Sequence, residues 1–399
     1  MKIKICLWNI WMKYRKEKIM ICKDIKRNIL LNPGPATTSD SVKSAQIVSD
    51  ICPREKEFGD VMGYISKELT NLVADNSKYT TILFGGSGTA AVESVISSVI
   101  NNEEKVLVIN NGAYGKRICE MCKIYNLNYI EFKCSSIKKI NFNELDKKMN
   151  EIEDITHLAV VHHETTTGLL NDIKTIGELC EKYKVNLIVD AMSSFAGIEI
   201  DMEKMNIKYL ISSSNKCIQG MAGVSFVICN KDTLNKIKYI KPRNMYLNLY
   251  KQYEYFKENN QMRFTPPVQV VYALKQAIKE TKKETVEKRE ARYKECCKIL
   301  WSGLDKLKLK RLVSDENASM LLTTVIEPDN ENYDFEEFHD YLYEKGFTIY
   351  PGKLAEKNTF RVANMGDIKT DDIERFIEAM SEYFMKIKLQ DYVKFKNRM

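Results

Sequence analysis

From about residue 55 onwards, the apolar residues of this chain change repeatedly between the spacing of a helix and the spacing of a strand. Seven of them recur at intervals of three and four, which predicts one face of an amphipathic helix with Pro53 in its first turn. These are Phe58, Val61, Met62, Ile65, Leu69, Leu72 and Val73. Short apolar runs then predict strands at 80–84, 106–109, 129–132, 157–162, 186–189, 208–211 and 224–228.

Helical stretches separate most of these predicted strands. The strands are apolar throughout and do not alternate between apolar and polar residues, which is typical of a parallel sheet covered on both faces. We therefore predict an α/β fold in which residues 31–280 form a large domain around a doubly wound, mostly parallel sheet.

A smaller α+β domain is predicted for residues 281–399. A long, highly charged helical region follows Pro266 and Pro267 and ends near Leu309. Its charges between residues 279 and 294 carry both signs at helical spacing, which indicates a solvent-exposed helix face and no binding surface. The remaining predicted elements are strands at 321–326, 347–350 and 359–363 and helices at 335–345 and from about residue 371.

The net charge of +7 is concentrated at the N-terminus. Residues 1–30 contain nine lysines and arginines against Glu17 and Asp24, so the rest of the chain carries equal numbers of positive and negative charges. A neutral body offers no long-range attraction to a phosphate backbone, which argues against nucleic acid as a partner. We interpret the basic segment as an N-terminal extension or an early start, with a targeting or membrane-touching segment as the alternative.

The composition favours a reducing, aqueous compartment. Charged residues interrupt every apolar run before it reaches the roughly 18 residues that a membrane-spanning helix needs. The 11 cysteines are odd in number and scattered, which favours small apolar residues over a disulfide framework. Cys119 and Cys122 are spaced like a metal-binding pair, but no second pair completes a zinc site. We predict a cytoplasmic protein with no metal and no membrane partner.

Ligands of open α/β sheets bind at the carboxyl ends of the strands, so the residues directly after each apolar run are candidates for chemistry. The first candidate is the segment 85–89, Gly-Gly-Ser-Gly-Thr, which joins a strand to a helix. Backbone N–H groups at a helix N-terminus and the hydroxyls of Ser87 and Thr89 would bind a phosphate there. A plain glycine turn is the alternative, because the spacing matches neither a Walker A loop nor a dinucleotide fingerprint.

Two further candidates, Asp190 and Lys216, follow the strands at 186–189 and 208–211. A buried carboxylate such as Asp190 needs a cation, for example a protonated heterocyclic nitrogen, unless it only closes a turn. A partly desolvated lysine has a lowered pKa and becomes a nucleophilic amine able to form a Schiff base, unless it is an ordinary surface lysine. A phosphate site, a carboxylate and an amine together are the three groups that pyridoxal 5′-phosphate requires.

Seven motifs in order along the chain resemble those of the class V, fold type I aminotransferases. They are NPGPATT (32–38), CPREKEF (52–58), GGSGTAAVE (85–93), NNGAYG (110–115), HHETTTGLLN (162–171), VDAMSSF (189–195) and SSNKCIQGMAG (213–223). The resemblance extends from about Leu31 to the last helix. It implies the fold of that family, pyridoxal 5′-phosphate as cofactor and a homodimer.

The resemblance also implies roles for matching residues. Lys216 would be the Schiff-base lysine and proton carrier, and Asp190 would be the partner of the cofactor's ring nitrogen. Arg361 would bind the acidic group of the substrate, and Thr265 would reach the cofactor phosphate of the other subunit. The implied cofactor-binding set is Ser87, Gly88, Thr89, Tyr114 (stacked on the ring), Thr165 (near the phenolic oxygen), Asp190, Ser213, Lys216 and Thr265.

The same resemblance implies transamination between 2-aminoethylphosphonate and pyruvate, a step of phosphonate catabolism that gives phosphonoacetaldehyde and L-alanine. One arginine, Arg361, would then bind a phosphonate in one half-reaction and a carboxylate in the other. The alternatives are another class V transaminase, such as an alanine– or serine–glyoxylate type, and a catalytically silent pyridoxal-phosphate-binding protein.

Overall fold

A computed structural model of the chain describes residues 27–352 and 357–398, with side chains up to residue 388. The basic extension predicted for residues 1–30 lies outside the described residues as far as residue 26. Across the described ranges, no helix is long and apolar enough to cross a bilayer.

Helices and strands alternate along most of the described chain. The α-helices are α1 (Asp40–Ser44), α2 (Lys56–Asn71), α3 (Gly88–Val99), α4 (Ala113–Ile124), α5 (Phe142–Glu151), α6 (Ile173–Lys182), α7 (Lys231–Lys236), α8 (Leu249–Asn259), α9 (Val268–Glu284), α10 (Val286–Lys306), α11 (Phe335–Glu344) and α12 (Thr370–Arg398). The strands are β1 (Ile29–Leu30), β2 (Tyr79–Gly85), β3 (Lys105–Asn110), β4 (Asn128–Lys133), β5 (Ile155–Val161), β6 (His163–Glu164), β7 (Leu169–Leu170), β8 (Asn186–Asp190), β9 (Ile207–Ser213), β10 (Val224–Asn230), β11 (Leu322–Ile326), β12 (Phe347–Thr348), β13 (Tyr350–Pro351) and β14 (Thr359–Ala363).

Seven strands form one large sheet in the order β2-β10-β9-β8-β5-β3-β4. All neighbours from β9 to β4 pair in parallel, and only β10 runs antiparallel to its two neighbours. Successive residues of one strand enter different apolar cores, as Leu187 and Ile188 do. Both faces of the sheet are therefore covered, which confirms the predicted doubly wound, mostly parallel α/β fold and explains why most of its strands are apolar. The edge strand β4 is the exception, since it contains Glu131 and none of its residues is fully buried.

The predicted amphipathic helix forms as α2, but Pro53 does not lie in its first turn. The N–H of Glu55 donates to the carbonyl of Cys52 at 3.1 Å and closes a turn before the helix. Glu55 is the N-cap with an extended backbone, so the helix begins at Lys56. The prediction that Pro53 lies in the first turn of the helix is therefore wrong, because the helix begins three residues later.

The C-terminal elements form a second, smaller body. Strands β11, β14 and β13 make an antiparallel sheet, and α10, α11 and α12 contribute to its apolar core. Ile29 and Leu31 are buried in the same core, and β1 pairs in parallel with β12. Residues 27–30 therefore pack on the C-terminal body, and the domain division at residues 31 and 280 stays a prediction.

The charged stretch at 279–294 is not one exposed helix face. The helices α9 and α10 are separated at Thr285, whose φ is +71°. Beyond this break Arg289 is only 1% exposed, and its Nε donates to Glu284 Oε2 at 2.7 Å. Its Nη1 donates to the carbonyl of Cys217 at 2.8 Å. The prediction is wrong at Arg289 because the break turns this side chain towards the loop that follows β9.

Candidate active site

The carboxyl ends of the large sheet's strands surround a cavity of about 510 Å³. Eight of the nine predicted cofactor-binding residues line it, and only Thr265 does not. The lining consists of Gly86, Ser87, Gly88, Thr89, Val92, Tyr114, Arg117, Ile118, Val161, His163, Thr165, Asp190, Met192, Ser193, Ser213, Asn215, Lys216, Ala222 and Gly223.

The glycine segment lies between β2, which ends at Gly85, and α3, which begins at Gly88. The N–H groups of Gly88 and Thr89 at the N-terminus of α3 are available to an anion, whereas that of Ala90 already donates to the carbonyl of Ser87 at 2.9 Å. Ser87 is the N-cap, yet its hydroxyl makes no capping bond, so it too is available. A Cβ on Gly88 would lie 2.2 Å from Sδ of Met192, so a larger residue there would displace the Met192 side chain.

Asp190 is the last residue of β8 and is only 5% exposed. Its Oδ1 accepts a hydrogen bond from the N–H of Met192 at 2.9 Å. Burial raises the pKa of Asp190 to about 6, although that bond and the positive charges of Arg117 and Lys216 act in the opposite direction. Asp190 is therefore a carboxylate that a buried cation would stabilise.

Lys216 lies in the loop between β9 and β10, and its Nζ donates to the carbonyl of Pro33 at 2.6 Å. Burial lowers the pKa of the Lys216 amine to about 8, against the attraction of the Cys217 thiol and Asp190. With this pKa, about a tenth of the Lys216 amines are neutral and nucleophilic at pH 7 and about half at pH 8.

Tyr114 lies in the first turn of α4, and its backbone N–H donates to Oε2 of Glu164 at 3.2 Å. Glu164 is fully buried and also accepts from the hydroxyl of Thr166 at 2.5 Å. Burial raises the pKa of the Glu164 carboxyl, although these bonds lower it. The guanidinium of Arg117 lies 4.9 Å from the centre of the Tyr114 ring.

The predicted residues Thr165 and Ser213 are both buried at the cavity wall. The hydroxyl of Ser213 donates to Oδ1 of Asn215 at 2.9 Å. The carbonyl of Thr165 accepts from Nη1 of Arg361 at 3.3 Å, which links the wall to the predicted substrate-binding arginine.

Arg361 lies in β14 and is 1% exposed, but it does not line the cavity. Its Nε and Nη2 both donate to the carbonyl of Pro351, at 3.1 and 3.0 Å. Burial lowers the pKa of Arg361, and the Tyr114, Tyr350 and Glu164 side chains oppose that shift. Thr265 is exposed in the segment between α8 and α9.

Two residues at this site, His163 and Glu164, have no role that the sequence predicts. His163 lines the cavity, with Nδ1 at 3.0 Å from the hydroxyl of Ser193 and Nε2 at 2.8 Å from that of Ser319. Burial lowers the pKa of His163 to about 3, so the ring is neutral. His163 and Glu164 both belong to the HHETTTGLLN motif, which was the signal that could have identified them.

The cysteines and acidic residues assemble no metal site in the part of the chain that is described, since no group of three potential ligands lies close enough. Cys119 and Cys122 are buried in α4. Burial raises the pKa of Cys119 to about 11 and that of Cys122 to about 12, which keeps both thiols protonated.

The groups of the cavity fit pyridoxal phosphate. The cavity offers a buried amine with a lowered pKa, a buried carboxylate without an ion-pair partner among the described residues, and a helix N-terminus with an unused serine hydroxyl. These would hold the cofactor's aldehyde carbon, ring nitrogen and phosphate respectively.

Comparison with known proteins gives the family. The "Aminotransferase class-V" model matches residues 40–368. A bifunctional phosphonoacetaldehyde hydrolase/aminoethylphosphonate transaminase of Clostridioides difficile (strain 630) is 43% identical over 89% of this chain, which spans only 56% of that protein. The 2-aminoethylphosphonate–pyruvate transaminase of Bacillus cereus (strain G9842) is 42% identical, with coverage of 89% of this chain and 97% of the relative.

Solved structures agree with this assignment. The alanine–glyoxylate aminotransferase of Nostoc sp. superposes with a TM-score of 0.83 at 25% identity, covering 90% of this chain and 96% of its own. The pyridoxamine–pyruvate aminotransferase of Mesorhizobium loti, at 22% identity, shares the fold with a TM-score of 0.84 over 91% of this chain and 93% of its own. The chain belongs to the class V aminotransferase family, whose cofactor is pyridoxal phosphate.

Proposed function

We propose that this protein transfers the amino group of 2-aminoethylphosphonate to pyruvate and releases phosphonoacetaldehyde and L-alanine. The observation that carries the proposal is the buried Lys216 amine, which shares one cavity with Asp190 and the glycine segment at the start of α3. The names of the relatives that are 42–43% identical support this choice of substrates. When bound, pyridoxal phosphate supplies an electron-accepting ring that stabilises negative charge on the substrate carbon.

Lys216 and Asp190 would divide the proton chemistry between them. With a pKa of about 8, the Lys216 amine would take a proton from the substrate carbon and return it to the cofactor carbon that carries the transferred nitrogen. Asp190 holds a proton on the ring nitrogen, because a buried carboxylate is stabilised by an adjacent positive charge.

Arg361 would bind the acidic group of both substrates. Among the described residues, the carbonyls of Pro351 and Thr165 use three of its five N–H donors. One N–H on each Nη nitrogen remains for a carboxylate or phosphonate. Both acids accept a planar, bidentate donor, so one arginine can serve both half-reactions.

The amine donor is tested by a single-turnover screen of the loaded protein. We expect 2-aminoethylphosphonate to convert the cofactor's absorbance band faster than alanine, serine or phosphoserine. Fast conversion by alanine or serine alone would indicate a glyoxylate-type transaminase. A protein that binds the cofactor and reacts with none of the four would be catalytically silent.

We also propose a homodimer in which Thr265 reaches the partner subunit's cofactor phosphate. The exposure of Thr265 supports this, as do the exposed Tyr239 and Met245 in the neighbouring segment. Sedimentation would give the oligomeric state. Hybrid dimers of the Lys216→Ala and Thr265→Ala variants should regain activity, because one of their two sites would contain both native residues. Without such recovery, Thr265 would act within its own subunit or not at all.

The cytoplasm is proposed as the location. The nine cysteines from Cys52 to Cys297 are all unbridged, which supports a reducing compartment.

A further inference from the structure

The segment Asn32–Ala36 forms a turn directly against Lys216. Pro33 offers its carbonyl to the Lys216 amine at 2.6 Å. A Cβ on Gly34 would lie 2.2 Å from Nζ of Lys216 and 2.6 Å from Cδ, so this position must be glycine while the amine is there. The roles proposed for Lys216 above make no use of this contact.

The turn is held in place from both ends. Within it, the amide of Asn32 donates to the carbonyl of Pro35 at 3.1 Å, and Asn32 is 2% exposed. The N–H of Ala36 donates to the carbonyl of Asn215, the residue before the lysine, at 2.9 Å. On the other side, the N–H of Ala363 donates to the carbonyl of Leu31 at 2.7 Å. The Pro33 carbonyl is therefore a fixed acceptor.

A buried lysine amine needs such an acceptor whenever it is not bound to the cofactor. Leaving a buried polar group without a hydrogen bond costs about 1–3 kcal/mol, and more if the group is charged. Within the described residues, the Pro33 carbonyl is the acceptor that lies within hydrogen-bond distance of the Lys216 amine. The contact therefore stabilises the amine in its released position.

We propose that the Lys216 amine is hydrogen-bonded to the Pro33 carbonyl whenever the substrate's nitrogen has replaced it on the cofactor. We call this the rest position of the amine, and we propose that Gly34 leaves room for it. Both are positioning residues that act through Lys216. The inference rests on the proposed transamination only in that the lysine is released during turnover. It does not depend on which amine is the donor.

The first test is a crystal structure of the protein loaded with pyridoxamine 5′-phosphate. This form of the cofactor carries its own nitrogen, so Lys216 is released whatever the natural donor is. We expect Nζ of Lys216 within about 3.2 Å of the Pro33 carbonyl oxygen. An amine bonded to another group and out of reach of Pro33 would overturn the proposal, even if the donor screen had succeeded.

The second test uses Gly34→Ala and compares the two forms of the cofactor. The alanine Cβ would block the rest position, which is filled when pyridoxamine phosphate is bound and empty when Lys216 is joined to pyridoxal phosphate. Gly34 has a φ of +131°, so alanine there strains the backbone. This strain is the same in both cofactor complexes and cancels in the ratio of their dissociation constants. We expect the ratio of the pyridoxamine phosphate to the pyridoxal phosphate dissociation constant to rise at least about tenfold.

Gly346→Ala is the matched control. Gly346 also has a positive φ, of +90°, and among the described residues a Cβ there would have only the carbonyl of Arg27 at 4.0 Å nearby. This variant carries similar backbone strain without touching Lys216, so its ratio should equal that of the wild type. Equal losses of affinity for both cofactor forms in Gly34→Ala would show a purely structural role for the turn. If Gly34→Ala does not fold, the crystal structure decides.

Discussion

The two ends of the active site are built in different ways. At the cofactor end, the glycine segment, Asp190 and the Lys216 loop all follow strands of one sheet. At the proposed substrate end, Arg361 comes from the separate sheet of the C-terminal body and contacts the cavity wall through the carbonyl of Thr165. The first end is determined by sheet topology, whereas the second depends on how two bodies pack.

The two ends also differ in how well their charges are satisfied. Burial moves the pKa of Lys216 down to about 8 and that of Asp190 up to about 6, so both charged forms are destabilised in the protein alone. Burial lowers the pKa of Arg361 as well, but three of its N–H groups already donate to the carbonyls of Pro351 and Thr165, whereas the Lys216 amine has one such acceptor among the described residues. The cofactor end thus gains most from its ligand, and variants there should have the larger effects.

The largest effect is expected for Lys216→Ala. It removes the amine that moves the proton, a contribution of about 10²- to 10⁴-fold in rate, together with the attachment point of the cofactor. Single-turnover absorbance changes with 2-aminoethylphosphonate would measure the loss. Lys208→Ala, on the strand before the same loop, is the control and should react like the wild type. Appreciable turnover by Lys216→Ala would disprove the assignment of the lysine.

Asp190→Asn should be the next most damaging change. The amide oxygen can keep the bond from the Met192 N–H, so the fold is retained, but it carries no charge to hold a proton on the ring nitrogen. Losing one partner of a buried charged pair costs about 3 kcal/mol or more, which corresponds to a loss of 100-fold or more in kcat. A kcat within tenfold of the wild type, at unchanged melting temperature, would remove Asp190 from the mechanism.

Arg361→Lys tests the substrate end and should cost less. A lysine keeps the charge but loses the planar fork, and one hydrogen bond to a charged group is worth about 1.5–3 kcal/mol. We expect kcat/KM to fall about 10- to 100-fold for both 2-aminoethylphosphonate and pyruvate. Arg375→Lys is the control, because the exposed Arg375 side chain is paired with the buried Asp372 and does not line the cavity. A loss confined to the phosphonate would mean that another cation binds it.

The smallest effect is a shift in a pH profile. Only the neutral Lys216 amine captures pyridoxal phosphate, so uptake by the cofactor-free protein should rise with pH and level off above a midpoint of about 8. The Asp190 charge raises the pKa of Lys216, so Asp190→Asn should move that midpoint downwards. Stopped-flow absorbance measures the uptake. A midpoint near the ordinary lysine value of 10.5 would show that burial does not lower this pKa.

Sequence patterns predicted that the residues of the proposed cofactor end would lie together, and they line one cavity because their positions obey one rule. Asp190 and Lys216 stand out as polar residues directly after apolar strands, and the rule for parallel sheets places them together. The hydrogen-bond acceptor on Pro33 could not be predicted in this way. Every residue has a backbone carbonyl, so residue type does not show which carbonyl binds the lysine. The NPGPATT motif that contains Pro33 resembles the family's motif, but it does not indicate which side chain the Pro33 carbonyl binds.

Other features depended on packing that patterns along the chain do not record. Arg289 has helical spacing within a charged stretch, and only the break at Thr285 turns it inwards. Glu164 is a carboxylate in a polar motif, and its burial follows from the N-terminus of α4 lying against it. Position along the chain therefore indicates which residues are candidates, while tertiary contacts decide which of them are buried.

The parallel pairing of β1 with β12 has a consequence for the order in which the protein assembles. The bond from Arg27 to Asp367 spans 340 residues, and the bond from Lys216 to Pro33 spans 183. Contacts so distant in sequence form late in folding, because a long loop must close before they are made. During synthesis β1 therefore remains unpaired until the C-terminal body has left the ribosome, because a nascent chain that already contains Lys216 still lacks the β12 partner of β1.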